Sequence, residues 1–245
     1  MKKSPLYALA STVILLGAGS RADSEVVVSV FTGVALTENN DLRLKQSGAT
    51  DLTFHNVSYE GRDFETPPYY GVRLSYFLAQ HPHWGLAAEF FHAKMYLETG
   101  DTVRVTGTRA GAPVNDSERV GDTIQSFNAS HGLNFLTLDA IYRWLPGRRG
   151  EDFLGRFQPY VGAGAGVAIP HVESIINGVS YGDYQWHGPA IQGFVGTNFD
   201  LTRHVSLFVE YKFTYANLDG LSIPGGSIDV TPLTHHLVSG LSLHF

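Results

Sequence analysis

Apolar and polar positions alternate in eight separate stretches of this 245-residue chain. The period is two, which marks strands with unlike faces. In EVVVSVFTGVALT, Val26, Val28, Val30, Val34 and Leu36 share one face, with Ser29, Gly33 and Ala35 opposite. PPYYGVRLSYFL sets Tyr70, Val72, Leu74, Tyr76 and Leu78 against Tyr69, Gly71, Arg73, Ser75 and Phe77. WGLAAEFFHAKMY carries Trp84, Leu86, Ala88 and Phe90 on one side and Glu89 on the other. HGLNFLTLDAIYRW opposes Leu136, Leu138, Ala140, Tyr142 and Trp144 to Thr137, Asp139 and Arg143. QPYVGAGAGVAIP opposes Val161, Ala163, Ala165 and Val167 to three glycines. PAIQGFVGTNFDL presents Ile191, Val195, Phe199 and Leu201, and VSLFVEYKFTY presents Val205, Leu207, Val209, Tyr211 and Phe213 with Glu210 and Lys212 behind them. The last stretch, HHLVSGLSLHF, alternates to the final residue, with Leu237, Leu241, Leu243 and Phe245 facing one way and His236, Gly240, Ser242 and His244 the other.

The connections alternate between short and long. AQHPH, Pro146 to Arg156 and TRH are the short ones. Glu38 to Thr66, Glu98 to Ser126, His171 to Gly188 and Ala216 to Pro232 are long and polar, the first with its own strand around Phe54 to Tyr59 and the second with a β-ribbon at TVRVTGT. Even strand number, short turns on one side and long loops on the other predict an eight-stranded antiparallel up-and-down transmembrane β-barrel, monomeric, with apolar faces toward lipid and four extracellular loops. A soluble β-sandwich is the competing reading, and alternation that persists to the terminal aromatic speaks for the closed sheet. The tail resembles the terminal strand of Gram-negative outer-membrane barrels, whose final Phe is read by the barrel-insertion machinery, and strands five to eight resemble small barrels similar to OmpA and OmpX.

Residues 1–22 read as an export signal: Lys2 and Lys3, an apolar run from Leu6 to Ala18, and a small-x-small cut at Ser20-Arg21-Ala22. Residues 23–245 then form the barrel domain, placed in the outer membrane. No stretch reaches ~18 consecutive apolar residues, which excludes a helical membrane protein. The absence of cysteine excludes a disulfide framework. A net charge of −6, more acidic still once the leader is removed, argues against nucleic acid as partner.

Inward-facing Arg73, Glu89, Asp139, Arg143, Glu210 and Lys212 predict a buried ion-pair network, with a proton or substrate path as the alternative. Strict alternation turns His131 and His236 inward and His92 to lipid, unless a bulge at Phe90-Phe91 shifts the face. GAGAG lacks the GxGxxG spacing and a following helix, so it is no dinucleotide site. His204-Val205-Ser206 is the one His-x-Ser pair, and its place at an inner turn speaks against a lipid A deacylase.

The most distinctive polar material is DLTFHNVSYEGRDFETPPYYG (51–71), FFHAKMYLETGDTVRVTG (90–107) and IQSFNASHGLN (124–134). Together these segments resemble the lipid A oxidase family of Gram-negative outer membranes, over about residues 51–144. The resemblance implies lipid A or lipopolysaccharide as partner and O2-dependent conversion of the proximal glucosamine to 2-aminogluconate. It carries no catalytic motif, so roles are read from chemistry and position. Arg62, Lys94 and Arg104 suit the anionic groups of lipid A. Glu60 or Asp63 suits the base. A divalent metal at the outer mouth is expected, with His131, one or both of His55 and His92, and a carboxylate such as Glu65 or Asp101 as ligands. O2 is then the electron acceptor. The alternative is a non-catalytic barrel for adhesion or envelope integrity.

Overall fold

The structure, a computed structural model, describes residues 24–147 and 153–245. The export signal expected at 1–22 lies outside them. Eight long strands form the barrel: β1 (Glu25–Thr37), β2 (Tyr70–Leu78), β3 (His81–Leu97), β4 (Ile124–Arg143), β5 (Phe157–Ile176), β6 (His187–Asp200), β7 (Val205–Ala216) and β8 (Leu233–His244). Each pairs antiparallel with its neighbours in sequence. β1 closes on β8 from Val27 opposite His244 to Thr37 opposite Thr234. At the seam's inner end, the Val26 and Phe245 backbones exchange hydrogen bonds of 3.1 and 2.9 Å. Closure leaves no unpaired edge in the barrel.

The alternation read from sequence is the alternation of burial. In β2 the five outward residues from Tyr70 to Leu78 are exposed, and Gly71, Arg73, Ser75 and Phe77 between them are buried. The exterior of the other strands is likewise apolar, with Leu86, Leu138, Val195, Val209 and Leu241 all exposed. At the inner end, Trp84 and Trp144 pack against Tyr142 at centroid distances of 4.9 and 5.0 Å, an aromatic girdle. An apolar belt around a closed barrel, edged by aromatics, is stable only in lipid. The chain is a membrane-spanning barrel of the outer-membrane type. Among the described residues no helix is long and apolar enough to cross a membrane.

Inside, the expected ion-pair network is present. Arg73 makes a two-pronged contact with Glu210, at 2.7 and 2.8 Å, and also bonds Glu89. Lys212 bridges Glu89 and Glu210, and Tyr160 donates to Glu210 at 2.9 Å. Phe91 and Phe194 flank the two cations at 4.3 and 4.5 Å. Arg143 pairs nearer the inner end with Glu25, at 2.5 Å, and Asp139 accepts from Gln192 at 2.7 Å. The small inward positions of β5 have a use: a Cβ on Gly162 would meet the Phe194 ring at 2.2 Å, and one on Gly164 the Asp139 carboxylate at 1.9 Å.

The outer connections contain the strand expected near Phe54 and the ribbon expected at TVRVTGT, and depart from expectation in pairing with one another. Leu218–Ile223, Gly226–Val230, Asn40–Gln46, Thr50–Val57, Thr102–Arg109 and Ala112–Arg119 form, in that order, a second antiparallel sheet of six strands. One buried apolar cluster joins Leu42, Leu44, Leu52, Phe54 and Val105 of this sheet to Phe31, Phe91 and Phe135 of the barrel interior. The alternating apolar residues in DLRLKQ and DLTFHNV thus fill a core above the barrel.

β4 contains the other departure. Pro170 of β5 pairs with Leu133 and Glu173 with Asn128, so three steps on β5 face five on β4. On the opposite side Ala93 pairs with Leu133 and Met95 with Ala129, so two steps on β3 face four. The extra residues form a bulge at Ser130–Gly132, where Gly132 has φ +114°. The register between Phe90 and Phe91 is continuous, so the bulge is not where alternation allowed for one. His131 is consequently exposed rather than turned inward. His236 is buried inside as expected, bonded to Thr214 at 2.9 Å. His92 keeps its outward parity yet is only 2% exposed, because neighbouring side chains cover it.

Candidate functional site on the outer wall of the barrel

The bulge projects His131 from the outer face of β4, and β5 supplies what it meets. His171 and Glu173 are two residues apart on one strand, so they share a face. That face is the exterior, just beyond the apolar positions Val161 and Val167. His131 Nδ1 lies 3.1 Å from Glu173 Oε1, and His171 Nδ1 lies 3.8 Å from the same oxygen. The two imidazole rings meet edge to face at 4.9 Å. Ser130, also on the bulge, donates its hydroxyl to the other carboxylate oxygen of Glu173. Tyr184, paired with His171 across the hairpin, packs on the His171 ring at 4.4 Å.

A cleft of about 330 Å³ opens beside this cluster, lined by Pro67, Tyr70, Phe90, His92, His131, Asn134, Ile169 and Tyr184. Apolar Pro67, Phe90 and Ile169 mix in its wall with the polar groups of His92, His131, Asn134 and Tyr184. Within it, His92 stacks on Tyr70 at 5.0 Å. Asn134 gives its amide N–H to the Ile169 carbonyl, which leaves its oxygen to accept from His92 Nδ1 at 2.9 Å. His92 Nε2 is then the bare nitrogen of the neutral ring, buried and without a hydrogen-bond partner.

Six of the residues singled out in the sequence gather here: His131, His92, Lys94, Glu65, Arg62 and Glu60. His131 is in the cluster, and His92 lines the cleft beside it. Lys94 is buried and donates to the Glu65 backbone carbonyl at 3.0 Å. Arg62 lies 4.4 Å over the Tyr96 ring. Glu60 bonds Arg62 at 2.8 Å, which holds the guanidinium well in its charged form.

The others are engaged elsewhere. His55 is held between Asp41 and Thr106, at 2.8 Å each, on the outer sheet. Asp101 accepts from Ser58, and Arg104 donates to Asn115 at 3.2 Å on the exposed ribbon. Asp63 accepts the Ala35 N–H at 3.0 Å, and burial pushes its carboxyl up from the usual carboxylate range against that bond. Among the described residues, the one grouping of three His, Asp or Glu ligand atoms tight enough for a single ion is His131, His171 and Glu173. Sequence reasoning missed His171 and Glu173 because it ended strand five at Pro170. A proline removes a ladder donor, and here it is tolerated beside the bulge, where the strand runs on to Ile176. Extending the period of two past Pro170 would have placed both side chains outward.

No protein-family model matches the chain, and no curated protein matches it. Among solved structures, it is similar to Neisserial surface protein A, at 13% identity and TM-score 0.44, with 93% of this chain and all of that one covered. It is also similar to the outer membrane protein OprG of Pseudomonas aeruginosa, at 17% identity and TM-score 0.44 over 92% and 97% of the two chains. The outer membrane protease OmpT of Escherichia coli aligns at 10% identity and TM-score 0.45 over 94% and 99%. The barrel and its lipid-facing exterior rest on the chain's own pairing and surface.

Proposed function

We propose that this barrel is an enzyme of the outer leaflet that acts on lipid A, oxidising the proximal glucosamine with O2 as electron acceptor. The observation that carries the reading is the lining of the cleft on the outer wall: Pro67, Phe90 and Ile169 offer apolar surface, and His92, His131, Asn134 and Tyr184 offer polar groups beside it. A molecule with an apolar body and a polar sugar head matches that division. Arg62, part-exposed over Tyr96 of β3, suits the anionic groups of the head, whereas Lys94 is buried and bonded to the Glu65 carbonyl.

In such an oxidation the C1 carbon of the reducing-end sugar loses a hydrogen with its electron pair, and the hydroxyl on it loses a proton. O2 takes the two electrons and two protons and leaves as hydrogen peroxide. Water opens the resulting lactone to the acid, a net gain of one oxygen. His92 Nε2, unprotonated in the neutral ring and facing the cleft, is the acceptor for the hydroxyl proton. Glu60 and Asp63, the bases expected from sequence, are occupied by Arg62 and the Ala35 N–H. A bound divalent transition metal would supply the reaction with O2.

Mass spectrometry of lipid A from cells with and without the gene tests the reading. A gain of one oxygen on the proximal sugar, lost in His92→Ala, is the expected result. Identical lipid A in both strains overturns it. That outcome favours the second reading, a non-catalytic adhesion barrel, to which the exposed edge strand Ala112–Arg119 of the outer sheet lends a docking edge.

A further inference from the structure

We infer that His131, His171 and Glu173 form a binding site for one divalent first-row transition ion on the outer barrel wall. Three observations converge on it. The first is donor chemistry: two imidazoles and one carboxylate are the set used by non-haem iron sites with open positions, and imidazole selects first-row transition ions over Ca²⁺ or Mg²⁺. The second is spacing. With metal–ligand bonds of about 2.0–2.2 Å, neighbouring donors around an ion stand roughly 3.0–3.4 Å apart. His131 Nδ1 to Glu173 Oε1 is 3.1 Å, His171 Nδ1 to the same oxygen is 3.8 Å, and the ligand atoms of all three residues lie within 4.8 Å of one another, so side-chain rotation of the imidazoles closes the set around one ion. The third is an orphaned donor: His171 Nδ1 is buried, has no hydrogen bond, and points at the carboxylate from beyond hydrogen-bond reach. A buried polar atom left unmatched is costly, and a metal ion in the gap would satisfy it.

The surroundings are built to hold the three in place. Ser130 fixes the second oxygen of Glu173, and Tyr184 covers the face of the His171 ring. Such outer partners orient ligands and tune affinity. His131 is exposed and also lines the cleft, so an ion held on it would be reachable from there.

The inference concerns binding alone and stands apart from the lipid A reading. The full chain, made without a histidine tag, refolded in detergent and stripped with a chelator, is titrated with Co²⁺ under anaerobic conditions while its visible absorption is followed. One equivalent is expected to bind saturably and to be displaced by Zn²⁺ and Fe²⁺. Glu173→Gln and His171→Ala are each expected to weaken binding at least about tenfold. His187→Ala, whose ring bonds the Asp219 carbonyl outside the cluster, is expected to bind as the parent does. Heat-modifiable migration in gel electrophoresis verifies that each variant is folded, and Glu173→Gln keeps the shape of the side chain should the alanine variant fail. The inference is overturned if the folded parent shows no saturable binding, or if Glu173→Gln binds Co²⁺ with parental affinity. No lipid is present in the titration, so intact metal binding with unaltered lipid A in cells overturns the oxidase reading and leaves the site standing.

Discussion

Arg73 and Glu210 are 137 residues apart in sequence and share two hydrogen bonds of 2.7 and 2.8 Å at the centre of the barrel. Both side chains are almost wholly withdrawn from solvent. Each end of the pair also engages the second couple, Lys212 and Glu89, so two cations and two anions form one connected unit. Removing one member strands the opposite charge in a medium that solvates it poorly. Arg73→Ala is expected to cost about 3–5 kcal/mol of unfolding free energy. Denaturant unfolding of the refolded protein measures it, and a loss below about 1 kcal/mol contradicts the account of the interior.

The exterior makes the opposite demand. Leu138 is 72% exposed in the middle of the apolar belt. Leu138→Arg places a charge in hydrocarbon and is expected to destabilise the barrel in lipid vesicles by about 2–4 kcal/mol. Asn115→Arg on the exposed ribbon should leave stability unchanged in the same assay.

The closing seam ends at Phe245, whose backbone exchanges hydrogen bonds with Val26. Deleting Phe245 removes that last pair of bonds and the terminal aromatic. A marked fall in outer-membrane yield is the expected outcome, measured by fractionation against the parent, with parental yield refuting a role for the residue in assembly.

Gly132 holds the bulge. At φ +114° it occupies a region that side-chain-bearing residues avoid, and a Cβ there would lie 2.4 Å from His92 Nδ1. Gly132→Ala should therefore displace both His131 and His92 while the barrel still folds. The expected effect is a loss of about 10–100-fold in Co²⁺ affinity, the range seen when ligand-orienting groups are lost. Parental affinity in a folded Gly132→Ala protein separates the bulge from the site.

Asp63 gives a pH dependence with a definite sign. Burial raises its carboxyl above the ordinary aspartate value of 3.8 in the folded protein, so the folded chain binds more protons than the unfolded one. The stability it contributes is fully present below about 3.8, the unfolded value, and is lost as pH rises through the higher folded value. Asp63→Asn keeps an oxygen for the Ala35 N–H without the charge. It should exceed the parent in stability at neutral pH, with the gap closing in acid, as denaturant unfolding at both pH values would show.

The sequence by itself determined the barrel. A strand's two faces are set by a period of two that needs no knowledge of distant residues, and so the number of strands, their lipid faces and the inward placement of Arg73, Glu89, Glu210 and Lys212 were all legible. Even the histidines that obey the period, such as His236, fall where alternation puts them. What only the tertiary structure decided is where the period breaks and what then meets. The Ser130–Gly132 bulge is specified by pairing with both neighbouring strands, and it turns His131 from the lumen to the wall. His171 and Glu173 join it because β5 continues past Pro170 beside that bulge, while His55 goes to partners on an outer sheet assembled from three loops and Asp101 goes to Ser58. Alternation is local chemistry repeated along the chain. A bulge, a cross-loop sheet and a cluster of side chains from two strands are agreements between segments far apart, and those are fixed only when the sheet closes.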